Sequence, residues 1–465
     1  MYLVEGNPGA GKTTTALQFL LEGAARGEKV LYVTLSETKE ELEEVARSHG
    51  WALDKIALID LSALENTSKA QNTLYNPAEI ELNHLAKLLL DHVKQIAPTR
   101  LVLDSLSEMR LMAQSALRYR RQILSFKQQF AAANCTVLLL DDKTGNDEDS
   151  QVQSIVHGIV TLISTPMKYG VVRRFLTVQK LRGTRFREGN HDYVIQTGGL
   201  SVFPRLVAAE HIRRFNKIPR SSGNAELDAL VGEGLHTGTS NLLIGPAGSG
   251  KSTIASMFAH AAATRGEHVL YYAFDENSAT LMQRARELGI DFAPLIEAGR
   301  LKVEQIDPAN IAPGELAHNI LVSVEEHKTQ VVVLDSLNGY VTAMPDEDFL
   351  TLHLHELLTY LGQQGVMTVM LMAQHGLVGS QMSTPVDVSY LADTVILLRF
   401  FEALGSVKKA ISVIKKRSGS HETAIRELLM TENGVVVGQP LREFEGVLSG
   451  IPKFKGHAEQ IMKDE

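Results

Sequence analysis

Two eight-residue stretches have the residue types and spacing needed to grip a triphosphate. Gly245-Pro246-Ala247-Gly248-Ser249-Gly250-Lys251-Ser252 and Gly6-Asn7-Pro8-Gly9-Ala10-Gly11-Lys12-Thr13 both read G-x-x-x-x-G-K-[ST], and each runs on into a threonine, Thr253 or Thr14. Glycines open dihedrals closed to other residues and let backbone amides approach an anion. The lysine brings a point charge to the β- and γ-phosphates, and the Thr13 or Ser252 hydroxyl can ligate Mg²⁺. Both loops sit between a short apolar run and a helical pattern, which places positive helix ends at the phosphates. ATP and Mg²⁺ are therefore the expected cofactors, at two sites.

Further chemistry-bearing residues follow in both halves. Asp104 and Asp335 close apolar runs and can hold Mg²⁺ against the loop hydroxyl. Asp275-Glu276 ends the strand after the second loop, where a carboxylate can polarise the attacking water or hydroxyl; the first half keeps only Glu37 after Ser36. Pairing Thr136–Asp142 with Thr368–Gln374 sets Gln374 against Asp141 and Asp142 as the group near the γ-phosphate, so the sites should differ. Lys180-Leu181-Arg182 and Lys415-Lys416-Arg417 offer cations to offset charge on the transferring phosphoryl, or simply protect a sheet edge.

The elements carrying these residues repeat with them. Val30–Glu37 matches Val269–Glu276, Arg100–Leu106 matches Val331–Leu337, and Phe175–Arg182 matches Ala410–Arg417. Strands alternating with helical stretches predict an α/β fold, a mainly parallel sheet flanked by helices, built twice. The expected organisation is a first domain at 1–205, a basic linker at 206–222, a second domain at 223–449 and a flexible tail at 450–465.

The chain carries one cysteine, Cys135, so no internal disulfide framework is available and a reducing cytoplasm is the expected compartment. A net charge of −8 argues against non-specific nucleic-acid or membrane binding. No apolar run reaches the length of a membrane span. His353, His355 and Glu356 lack the i, i+4 spacing of a helical zinc site and read as a helix surface.

Taken together, the double loop, the acidic pair, both Asp-Ser strand ends, Lys180-Leu181-Arg182-Gly183-Thr184, Ala392–Leu398 and Ala424–Leu428 resemble the KaiC family of tandem RecA-like ATPases. The resemblance spans Leu3 to about Ser449. It implies a ring, usually a hexamer of two tiers, with ATP between neighbouring subunits. It further implies that Lys180, Arg182, Lys415 and Arg417 reach the adjacent subunit's nucleotide, and that regulators dock on the C-terminal tail. Serine/threonine autophosphorylation in the second half is implied as well, with Asp275 as base. Ser389 occupies the family's serine position, Tyr390 stands where a threonine is usual, and Thr384 matches a threonine upstream. Two other readings remain open: a RecA- or RadA-like DNA-dependent motor, and a nucleotide-gated scaffold without catalysis.

Overall fold

In the computed structural model the chain divides into two units, Met1–Arg205 and Leu206–Glu465. The structure describes residues 1–61, 77–143, 150–167, 170–343, 347–374, 388–403, 405–431, 434–448 and 453–455. Thr384 and most of the 450–465 tail lie outside these residues.

Unit 1 runs β1 (Tyr2–Gly6), α1 (Lys12–Ala25), β2 (Val30–Thr34), α2 (Lys39–Ser48), β3 (Ala57–Asp60), α3 (Pro77–Ile96), β4 (Arg100–Asp104), α4 (Leu106–Ala113), α5 (Ala116–Ala132), β5 (Thr136–Asp142), α6 (Ser150–Ile155), β6 (Gly158–Thr165), β7 (Arg173–Leu181), β8 (His191–Gln196) and β9 (Gly199–Phe203). Its nine strands lie in the order β3-β2-β4-β5-β1-β6-β7-β8-β9. Pairing is parallel from β3 to β6 and antiparallel from β6 to β9.

Unit 2 opens with β10 (Pro219–Arg220), α7 (Ala225–Leu230) and β11 (Leu235–His236), and then repeats the plan. It continues through β12 (Ser240–Gly245), α8 (Lys251–Thr264), β13 (His268–Ala273), α9 (Ser278–Glu287), α10 (Ala293–Glu297), β14 (Leu301–Gln305), α11 (Pro313–Glu326), β15 (Thr329–Asp335), α12 (Leu337–Ala343), α13 (Glu347–Gln363), β16 (Met367–Ala373), β17 (Thr394–Ala403), β18 (Ser406–Lys416), β19 (Arg426–Thr431) and β20 (Gly434–Pro440). The sheet order, β14-β13-β15-β16-β12-β17-β18-β19-β20, is that of unit 1 strand for strand. A small ribbon of β21 (Phe444–Glu445) and β22 (Lys453–Phe454) follows.

The parallel strands read as unbroken apolar runs because both faces are covered. Alternate residues leave to opposite sides: Leu31 and Val33 join one core layer, Val30 and Tyr32 the other. The helix starts are locally encoded. Thr38 and Glu41 form a reciprocal capping box on α2, and the Asn277 side chain accepts from Thr280 N to cap α9. Ahead of unit 2's sheet, Leu206 and Ala208 enter its core, and Glu356 accepts the Ala208 amide at 3.0 Å. His353 departs from its expected surface position. It shares the inward face of α13 with buried Leu350 and Leu357, its ring meets the Tyr340 hydroxyl, and burial pushes its pKa down to about 4. Helical spacing at i, i+3 and i+4 explains that placement.

Candidate nucleotide sites

The two G-K-[ST] loops leave the C-terminal ends of β1 and β12, central strands of their sheets, where open α/β sheets bind ligands. Geometry leaves no room for side chains there. A Cβ on Gly6 would lie 2.3 Å from the Leu162 carbonyl oxygen, and one on Gly245 would lie 2.7 Å from that of Leu398. Gly11 (φ 90°) and Gly250 (φ 107°) are left-handed and cap α1 and α8 without any side-chain hydrogen bond. The first amides of both helices thus stay available to an anion. Asn7, Pro8, Gly9 and Ala10 complete one loop, and Pro246, Ala247, Gly248 and Ser249 the other. Lys12 Nζ donates to Gly6 O at 2.9 Å and Asn7 O at 3.2 Å; Lys251 Nζ donates to Gly245 O and Pro246 O, both at 2.8 Å. Burial lowers the Lys251 pKa to about 8 against the pull of Asp335 and Asp275.

Asp104 and Asp335 end β4 and β15 beside these loops, both of their Asp-Ser peptide bonds being cis. The Tyr32 hydroxyl donates to Asp104 Oδ2 at 2.5 Å, and Tyr271 to Asp335 Oδ2 at 2.7 Å. Burial raises the pKa values of both carboxyls, and the neighbouring Thr13 and Ser252 hydroxyls pull them back down. A buried carboxylate beside a hydroxyl is a hard-oxygen donor pair of the kind a divalent cation takes, with phosphate and water completing the shell. Among the described residues no group of three His, Cys, Asp or Glu side chains could hold a metal unaided.

The acids after β2 and β13 differ between units. Glu37 Oε2 is buried with no hydrogen-bond partner among the described residues, and burial, then Asp104, raises its pKa to about 7. Asp275 accepts from the Ser336 hydroxyl, and Glu276 is paired with Arg284 at 2.7 Å. A carboxylate poised near neutrality suits a general base. Glu37→Gln is therefore expected to remove unit 1 turnover, whose wild-type rate should climb with pH through an inflection at about 7. The folded-state pKa exceeds the ordinary 4.5, so the fold binds the proton more tightly than the unfolded chain and loses stability as pH rises through that window. The same variant should raise Tm at pH 8 and leave it nearly unchanged at pH 4, read by calorimetry.

Lys180 and Arg182 do not approach their own loop. Lys180 pairs with Ile159, which pairs with Leu3, and Leu181 stands opposite Gly158 and, beyond it, Tyr2. Roughly 10 Å of strand separates that level from Gly6. Lys180 Nζ donates to Gln153 O at 2.6 Å and Arg182 to Ser154 O at 2.9 Å. Unit 2 repeats this: Lys415 Nζ donates to Ser389 O at 3.0 Å and Arg417 to Tyr390 O at 2.7 Å. Both strands also bulge just before the lysine, leaving Gln179 and Ile414 without a register partner. A bulge re-aims the side chains that follow it, and this one recurs at the same place in both units.

Strand register corrects one correspondence. Gly6 lies opposite Asp142 and Gly245 opposite Ala373, so Asp142 corresponds to Ala373 and Lys143 to Gln374. The offset agrees with the neighbouring strand: 373 − 142 = 335 − 104 = 231. The shared Thr-Val dipeptides at 136 and 368 had suggested a pairing one residue out of step, which on a strand exchanges the two faces. Tyr32 and Tyr271 belong to no phosphate-binding motif, and their one signal in the sequence is that each is the third residue of a Val-Leu-Tyr triplet in equivalent strands.

A family model described as "ATPase: KaiC" matches residues 1–207 and again 221–442. The chain is 26% identical over 473 residues to "Circadian clock protein KaiC3" of Synechocystis sp., covering 98% of this chain and 91% of that protein. It is 27% identical over 456 residues to "Circadian clock oscillator protein KaiC" of Thermostichus vulcanus, covering 97% and 87%. The protein of that same name in Synechococcus elongatus is 25% identical over 454 residues, with 97% and 87% covered. With both halves matched by one family model and each half carrying the loop, the carboxylates and the sheet of the other, the chain belongs to the KaiC family of ATPases.

Proposed function

We propose that this ATPase works as a homo-oligomer, a ring of six, in which a neighbouring copy completes each site. The observation that carries the reading is the position of Lys180, Arg182, Lys415 and Arg417 at the end of their strands remote from their own loops. Cations so placed cannot serve the phosphates of their own unit, yet they suit those of an adjoining copy. Within a unit, loop amides and Lys12 or Lys251 hold the phosphates. Thr13 with Asp104, and Ser252 with Asp335, would hold Mg²⁺, which would neutralise phosphate charge when bound. Glu37 and Glu276 would orient and deprotonate the attacking water, Glu276 after exchanging its Arg284 contact. The single unpaired acid of unit 1 and the tethered pair of unit 2 suit slow turnover, used for signalling or timing.

Ser389 offers a second acceptor. Lys415 holds its carbonyl, so a lysine that reaches a neighbour's nucleotide would bring Ser389 with it. The γ-phosphoryl would pass to Ser389 Oγ, its proton to the neighbour's Asp275, and ADP would leave. Thr384 is the alternative acceptor, and the 450–465 tail the proposed dock for regulators.

Separate substitutions distinguish an enzyme from a scaffold. Glu276→Gln should abolish unit 2 hydrolysis while nucleotide stays bound; a scaffold would be indifferent to it. Mass spectrometry after incubation with Mg·ATP should find phosphate on Ser389. Its absence from both Ser389 and Thr384 would remove the kinase reading and leave the ATPase standing.

A further inference from the structure

The two phosphate-loop lysines are not in the same situation. Lys12 Nζ is 2.7 Å from Asp142 Oδ1, and with Gly6 O and Asn7 O this makes three acceptors for the three protons of the ammonium. Asp142 is the last residue of β5, directly opposite Gly6, the first residue of the loop. Unit 2 has Ala373 at that register, and among the described residues no carboxylate forms an ion pair with Lys251, whose acceptors are the Gly245 and Pro246 carbonyls. The strand order and the glycine-capped helix starts are equivalent in the two units. Asp142 is the side chain that gives Lys12 an ion-pair partner.

We propose that Asp142 is a specificity-determining residue that makes unit 1 discriminate against nucleoside triphosphates and in favour of diphosphates, a discrimination unit 2 lacks. The inference rests on the nucleotide-binding reading of the loops and deepens it. A loop lysine of this type serves both the β- and the γ-phosphate. The two carbonyls belong to the loop and carry no net charge, so Asp142 is the only anion among the three acceptors. A γ-phosphate oxygen must take the Asp142 place on the ammonium, and the displaced carboxylate then faces a like charge at close range. A diphosphate ends before that position and leaves the Lys12–Asp142 pair standing. Half of the Asp142 side chain remains in contact with solvent (41% exposed), so it has somewhere to turn when displaced, and the penalty is a bias and not a block.

The test uses the full chain carrying Lys251→Ala, so that unit 1 alone reports. Methylanthraniloyl-ADP and the methylanthraniloyl β,γ-imido analogue of ATP are titrated in Mg²⁺ with and without Asp142→Asn, an isosteric change that removes the charge. The expected result is that D142N tightens the triphosphate analogue by about 10-fold, equivalent to about 1.4 kcal/mol, and moves ADP by less than about 2-fold. The reverse change, Ala373→Asp in a Lys12→Ala background, should weaken the triphosphate analogue selectively in unit 2. An unchanged ratio of the two affinities in D142N overturns the proposal while leaving nucleotide binding intact. Equal weakening of both nucleotides also overturns it, since that is the mark of a merely structural role. If Lys251→Ala chains bind neither probe, with or without D142N, the two-site reading itself falls and this inference falls with it.

Discussion

Arg182→Ala, made in a Lys251→Ala background, is expected to slow unit 1 hydrolysis by about 10³-fold while nucleotide remains bound there. A cation that meets phosphoryl charge only in the transition state alters turnover more than ground-state affinity. The loss should be repaired by mixing. A chain with Arg182→Ala keeps its own Glu37, and a chain with Glu37→Gln keeps its own Arg182. With Lys251→Ala in both chains neither turns over in unit 1 alone, but after subunit exchange about a quarter of the unit 1 sites would combine an intact acid with an intact neighbour's arginine. Steady-state phosphate release from the mixture, compared with each variant alone, is the measurement. A mixture as inactive as its components would mean that Arg182 acts within its own chain, against a register that sets it level with Met1, roughly 16 Å of strand from Gly6.

Lys251→Ala carries the second large effect. The Lys251 ammonium is the buried cation of its loop, already bonded to two loop carbonyls and close enough to Asp335 and Asp275 to feel both charges. Removing it leaves Asp335 with only the more distant pull of Arg284, and the triphosphate without its point charge. Affinity in unit 2 should fall by about 100-fold or more, as charge-assisted contacts of this kind are worth several kcal/mol together. Nucleotide counted after rapid desalting should fall from two per chain to one, and Lys12→Ala should do the same from the other unit. Wild-type affinity in unit 2 should also weaken above pH 8, because the ammonium, lowered to about 8 by burial, then loses its proton. Bound phosphate will move that midpoint upward, so the direction is the test and not the exact pH.

Much of this was legible in the sequence because duplication supplies its own control. The glycines at 6, 11, 245 and 250 announce positions that tolerate no side chain, and the structure supplies the reason at Gly6 and Gly245 in the Leu162 and Leu398 carbonyls pressed against them. Strand-ending Asp104 and Asp335 were readable from apolar runs that stop on an acid. What composition and spacing could not supply was register. Whether Asp142 corresponds to Gln374 or to Ala373 depends on hydrogen bonding across a sheet, and that one-residue question decides which lysine carries an anionic partner. Position along the strand was equally hidden. The Lys-x-Arg triplets end their strands, but the sequence does not say whether that end lies with the loops or opposite them; the antiparallel return of β7 and β18 does. His353 is hidden in the sequence for a related reason: two histidines two residues apart suggest an exposed helix face, whereas helical spacing puts one of them inside.

The most direct test of the central claim is to size the purified chain by light scattering with and without saturating Mg·ATP while counting bound nucleotide. Glycine-loop sites completed by cations from an adjoining copy require an oligomer holding two nucleotides per chain. A chain that stays monomeric with two nucleotides bound would contradict completion by a neighbour, and a monomer with none would contradict the sites themselves.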